Sequence, residues 1–174
     1  MKRVCLVLLA VMTLMASFAA AEEAVTVKAA ETFDITLELP ELYELNEERI
    51  NGILYATIAS TQKETVYILT VAPSEEYAER SISDMSKEEV EELILAASEY
   101  FDTPVLDMTE TASATELIVV KEGNAASGSC AYVMTVYHGY FIQLYVENQS
   151  MAELSDEQLQ VAVDLLSGME IVTK

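Results

Sequence analysis

The chain has a single histidine, His138, no tryptophan and two cysteines, Cys5 and Cys130, and each scarcity removes a class of chemistry. One imidazole excludes metal sites built from several histidines, and two thiols fall short of a cysteine cage for zinc. Positive charge is scarce too: nine Lys and Arg stand against thirty Asp and Glu, a formal net charge of −21. Such a chain is a poor partner for nucleic acid and for anionic membrane surfaces, both of which reward Lys and Arg. It suits a solvated acidic surface, cationic partners or loosely held divalent ions. Motifs for covalent and phosphate chemistry are also missing. No G-x-S-x-G elbow occurs, no D-x-[DN]-x-[DN]-G loop offers tight calcium binding, and "GNAASGS" has the glycines of a phosphate loop without its lysine. Acidic pairs such as Glu75-Glu76 and Glu91-Glu92 are present. On helix faces such pairs are ordinarily solvated, whereas glycoside hydrolysis needs two carboxylates at a set separation in a cleft. A carboxylate-based hydrolase and a low-affinity divalent-cation-binding acidic protein therefore stand as alternative readings.

The start of the chain carries the first positive signal. "MKRVCLVLLAVMTLMASFAAA" runs from Lys2 and Arg3 through an uncharged apolar stretch to Ala19-Ala20-Ala21. That is the layout of a secretory signal peptide over residues 1–21, with an A-x-A site before Glu22. The competing reading is an anchor that stays attached, at the short edge of what spans a bilayer. Cleavage removes two basic residues and no acid, so the net charge of −21 becomes −23. It also removes Cys5, leaving Cys130 with no intrachain partner for a disulfide, although the exported setting permits one. No second apolar span follows, so no membrane insertion is expected after cleavage. The length beyond residue 21 suits one domain with a true core, burying roughly 68–70% of its unfolded surface.

Residues 22–31 read as a lead-in and residues 32–174 as one domain. "TFDITLELP" alternates Phe33, Ile35, Leu37 and Leu39 against Asp34, Thr36 and Glu38, the pattern of a half-buried strand stopped by Pro40. "INGILYATIAS" and "TVYILTVAP" pair around the turn "TQKE" and are apolar on both faces, as mid-sheet strands are. "MSKEEVEELILAASEYF" is a helix: Ser86 and Glu89 form a capping box, and Val90, Leu93, Ile94, Ala97 and Phe101 make one stripe. "PVLDMTE" and "TELIVVKEG" follow as strands. A final helix is capped by Ser155 and Gln158, buries Leu159, Ala162, Val163 and Leu166, and stops at Gly168. The order β-β-β-α-β-β-β-β-α, with tight turns between strands, makes an α+β fold: a mainly antiparallel sheet of about six to seven strands with two helices. The helices cover either opposite faces, as a three-layer sandwich, or the same face.

The strand "FDITLELP" and the terminal unit "YFIQLYVENQSMAELSDEQLQVAVDLLSGMEI" resemble the PsbP-like superfamily, over residues 32–172 in order of elements. Where such domains often carry Gly-Trp after the Leu-Pro, this chain has "ELY". The resemblance implies a PsbP-like sandwich and an exported, non-enzymatic accessory or binding domain, and it carries over no catalytic residue.

Cys130 and His138 invite comparison with a thiolate–imidazole pair, which needs hydrogen-bond reach. Eight residues apart on one strand, they are separated by roughly 26 Å at ~3.3 Å per residue. His138-Gly139 instead reads as a two-residue hairpin turn. That turn sets Tyr137 opposite Tyr140, Val133 opposite Leu144 and Tyr132 opposite Tyr145. One face then holds Ala131, Val133, Ile142, Leu144 and Val146, fit for the core. The other holds Tyr132, Met134, Phe141, Gln143, Tyr145 and Glu147, and its aromatic and polar mixture marks Tyr132, Phe141, Gln143 and Tyr145 as a candidate binding surface. "NQS" at Asn148 fits a glycosylation sequon. No catalytic residue, metal ligand or cofactor is expected. The reading is a secreted or cell-envelope binding domain for a protein or small-molecule partner. Export is checked by intact-mass measurement of the protein recovered outside its native cell: a chain beginning at Glu22 is expected, and one retaining Met1 would show the leader uncleaved.

Overall fold

A computed structural model describes residues 23–78, 80–97, 105–110, 116–121 and 130–174. The leader, Cys5, the "GNAASGS" loop and the end of the first helix at Phe101 lie outside the described residues. Among those described, ten strands form two sheets, of seven and three strands, and every strand pairing is antiparallel. The fold class is α+β, as the order of elements implies.

The smaller sheet has its origin in one-sided alternation. β1 (Glu23–Val27) and β2 (Phe33–Leu39) pair, and β10 (Glu170–Thr173) flanks β2 on its other side. Phe33, Ile35, Leu37 and Leu39 are all buried, while Asp34, Thr36 and Glu38 turn outward. The expectation of one sheet needs correcting here. β2 joins a separate sheet, because the segment read as a lead-in and the residues past the last helix give it neighbours of its own. Val27 and Ala29 of that lead-in are buried in the main core.

The larger sheet runs β3 (Glu44–Ile50), β4 (Ile53–Ala59), β5 (Thr65–Pro73), β9 (Tyr140–Asn148), β8 (Cys130–Tyr137), β7 (Glu116–Lys121) and β6 (Val105–Glu110) in spatial order. β3 was not anticipated. "ELNEERI" alternates weakly and is exposed along most of its length, yet Asn51-Gly52 after it is a strong hairpin signal. Both residues have positive φ, 53° and 85°, the backbone that matches strand twist. His138 (φ 42°) and Gly139 (φ 81°) repeat that turn between β8 and β9, and the register pairs Tyr137 with Tyr140, Val133 with Leu144 and Tyr132 with Tyr145.

The two helices lie on opposite faces of the large sheet. α1 (Lys87–Ala97) and the 3-10 turn Ile82–Asp84 place Val90, Leu93 and Ile82 against Met134 and Val136. α2 (Asp156–Ser167) packs on the other face, between that sheet and β2. Its buried residues are Ala162, Leu165 and Leu166, with Leu159 and Val163 only half-buried. The expected stripe is thus rotated toward Leu165, because α2 meets two sheets rather than one. Both helices begin as their sequences require. Ser86 and Glu89 exchange backbone-to-side-chain bonds of 2.7 and 3.2 Å, and Ser155 and Gln158 do so at 2.8 and 3.2 Å.

Gln158 also ties α2 to the centre of the large sheet. Its Nε2 donates to Thr65 Oγ1 at 2.6 Å and to Asn148 Oδ1 at 2.8 Å, joining the paired ends of β5 and β9. The Asn148 amide donates in turn to the Ala152 and Glu153 carbonyls and to Gln158 Oε1. At 6% exposure and with its nitrogen so engaged, Asn148 is closed to glycosylation in the folded protein.

One buried group lacks such support. Thr135 is fully buried on the core face of β8, and its hydroxyl has no hydrogen-bond partner. A buried hydroxyl left unpaired costs about 1–3 kcal/mol, and valine has nearly the same shape. Thr135→Val is expected to raise stability by about 1 kcal/mol, read as an upward shift of the urea midpoint at unchanged slope.

Candidate functional site

Strand alternation and the ladders define a continuous back face on the large sheet. Glu48, Tyr55, Thr70, Gln143 and Met134 form one cross-strand row, and Asn46, Thr57, Ile68, Tyr145 and Tyr132 form the next. α1 covers one end of it: Met134 and Val136 are fully buried. Tyr132 and Phe141 pack at the margin of that cluster together with Tyr77 and Met85, whereas no residue of β4 or β5 joins it. Over β4, β5 and β9 the face is half-buried at Tyr55, Thr57, Ile68, Thr70, Gln143 and Tyr145, and it closes again toward the start of β5 at Val66, which is 7% exposed.

The four residues singled out from the sequence therefore share one face but not one environment. Tyr132 and Phe141 edge the apolar cluster under α1. Gln143 lies between Thr70 and Met134. Tyr145 stacks tilted on Tyr132, with ring centroids 5.1 Å apart, and donates to Glu147 Oε2 at 2.6 Å. Burial and that bond to a carboxylate both favour the neutral phenol, so the Tyr145 hydroxyl is pushed well above its ordinary pKa and serves as a donor, not a base. Met134, placed on the mixed face by its register, belongs to the core. Tyr55, Thr57, Ile68 and Thr70 extend the surface beyond the hairpin. Their signal was the two-sided apolar pattern of β4 and β5, which reads as burial on both sides, whereas among the described residues α1 covers the second side over β7 and β8.

Cys130 and His138 occupy opposite ends of β8, as the turn requires. His138 is exposed and its ring meets Tyr137 edge-on at 4.5 Å, while Cys130 sits opposite Glu147 on the back face. The turn itself is clasped by the segment that leads into α1: Ser74 N–H donates to Gly139 O at 2.7 Å and Gly139 N–H to Tyr77 O at 2.9 Å.

Acidic side chains gather beside α1 around a hollow of about 250 Å³, lined by Glu76, Tyr77, Arg80, Met85, Glu89, Glu92 and Leu93. Arg80 grips both Glu89 oxygens at 2.9 and 3.0 Å, and the Ser86 N–H adds a third bond. Those bonds, Arg80's first, hold the Glu89 carboxyl down to about 2. A carboxylate so fixed cannot act as a general acid near neutral pH. No group of three or more His, Cys, Asp or Glu residues suited to a metal ion occurs among the described residues. Nor, among them, is any helix long and apolar enough to cross a membrane.

Neither a scan against protein-family models nor a search of curated proteins finds a match to the chain.

The Arg80–Glu89 pair locks the entry to α1 and has a pH signature. Glu89 titrates lower in the folded chain than its ordinary 4.5, so its contribution is fully present above pH 4.5 and is lost as pH falls through about 2. Glu89→Gln is expected to lower the melting temperature at neutral pH, and its difference from the parent should shrink across that acid window. A difference independent of pH would show that the pair's charge contributes nothing.

Proposed function

We propose that this chain is an exported, non-catalytic binding module that holds its partner against the half-open back face of the seven-stranded sheet. The observation that carries the reading is the contrast along that face. Met134 and Val136 are fully buried beneath α1, while Tyr55, Thr57, Ile68, Thr70, Gln143 and Tyr145 form a contiguous, half-buried surface of rings, hydroxyls and an amide. Rings with polar tips on a rigid sheet give contact area at small entropic cost, and the flanking hydroxyls and amide set orientation.

The leader pattern over residues 1–21 supports action outside the cytoplasm. The resemblance to PsbP-like domains supports an accessory role, and the α+β architecture is compatible with such a sandwich. The partner is a protein or small molecule recognised without a cofactor. A hydrolase finds less support, since of the three carboxylates lining the hollow beside α1, Glu89 is held ionised by Arg80.

Two variants test the reading. Thr70→Arg places a bulky charge at the centre of the open face and, being half-exposed, is expected to change stability by less than about 1 kcal/mol. Tyr132→Ser removes a ring at the apolar margin and is expected to cost more. The parent protein, immobilised and exposed to proteins and solutes from the native cell exterior, should retain a partner that Thr70→Arg releases. Identical retention by a folded Thr70→Arg variant would exclude this face.

A further inference from the structure

β3 is one of the two edge strands of the large sheet, and its unpaired side is guarded by charge. Natural edges are blunted by proline, by bulges, by short length, by cover or by charge. β3 has seven residues, no proline, an unbroken register from Glu44–Ala59 to Ile50–Ile53, and exposure at every position but Leu45. Charge is the guard that remains, and it has essentially one sign. Glu44, Glu47 and Glu48 face solvent, while the single base, Arg49, turns its guanidinium back onto the Lys28 and Ala29 carbonyls.

A guard made of charge is selective where one made of proline is not. Like charges opposite one another destabilise a strand pair and opposite charges stabilise it. An acidic edge therefore rejects a second copy of itself and accepts a basic strand. Which backbone groups are on offer follows from the hairpin. In a two-residue turn the flanking residues, here Ile50 and Ile53, exchange both their hydrogen bonds, and the pairing then alternates. Ile50, Glu48, Asn46 and Glu44 thus point their amides at β4, while Leu45, Glu47 and Arg49 point theirs outward. Among the described residues, no backbone hydrogen bond beyond the sheet ladders involves those three.

We infer that β3 is a docking edge for an extended, lysine- or arginine-bearing polypeptide segment, which adds to the sheet as an eighth strand through the outward groups of Leu45, Glu47 and Arg49. The segment's cations lie against Glu44 and Glu48 on one face and Glu47 on the other. This mode is strand addition, in which main-chain bonds provide affinity and side chains select the partner. It does not depend on binding at the back face.

Amide hydrogen exchange on the exported chain, at low salt, tests the inference with a short peptide alternating lysine and valine and a counterpart alternating glutamate and valine. The lysine peptide is expected to slow exchange at Leu45, Glu47 and Arg49 and to leave the paired amide of Glu48 as it was. The glutamate peptide should do nothing, and added salt should weaken the lysine complex because these charges are exposed. Glu47→Pro removes an outward amide without touching the ladder and should abolish binding, whereas Glu47→Gln should keep most of it. Reversing two charges with Glu44→Lys and Glu48→Lys together should weaken binding roughly tenfold. Equal protection by both peptides, no protection by the lysine peptide, or binding unaffected by Glu47→Pro would overturn the inference. So would a parent protein that dimerises through β3. Loss of retention in Thr70→Arg alone, with peptide binding intact, would concern the back face and leave this edge standing.

Discussion

The pairing of β5 with β9 is the constraint on which the rest of the molecule depends. These are the two longest strands among the described residues, nine residues each, and they join β3 and β4, which come before α1, to β8, β7 and β6, which arise between α1 and α2. A slip of one residue would exchange every core side chain for one on the back face. Two devices prevent it. At one end the clasped turn at Gly139 holds the β8–β9 hairpin against the chain that follows β5. At the other, Thr65 and Asn148 stand opposite each other and share bonds with Gln158. Gln158 is also the capping-box partner of Ser155 at the start of α2, so one side chain ties the register of the sheet to the first turn of the helix that covers it.

With that register fixed, the two faces of the sheet have unequal fates. The front face meets α2 and the three-stranded sheet together and is sealed, from Leu54 and Ile58 through Tyr67 and Leu69 to Leu144 and Val133. On the back, the described part of α1 lies over β7 and β8, and the aromatic and polar residues of β4, β5 and β9 stay partly open. The candidate surface is thus the part of the sheet's back that α1 leaves open among the described residues. Acidic charge borders this surface at Glu44, Glu48 and Glu147, and three of the bases are drawn elsewhere: Arg49 to backbone carbonyls, Arg80 to Glu89 and Lys174 to Asp34.

Much of this was legible from residues alone where the signal is local. Period-two alternation identified β2, the capping boxes located the first turn of both helices, and His138-Gly139 fixed the hairpin register and with it the separation of thiol and imidazole. β3 was legible in principle, since Asn51-Gly52 encodes its turn, but a strand with so little to bury shows no alternation against which to test that turn. β1 and β10 carried weaker signals still, because their reason for being strands is the presence of β2 between them.

Residues alone were enough for the two capped helices, the strands that alternate, the His138-Gly139 turn and the sign of the surface charge, because each follows from composition or from neighbours within a few residues. Only the tertiary structure decided that β2 leaves the main sheet, that α2 is buried on two sides and turns Leu165 inward, and that Met134 is core while Gln143 and Thr70 remain half-open. Those outcomes depend on how much area each helix covers and on which distant segments compete for the same edge. Such quantities exist only once the chain has closed on itself.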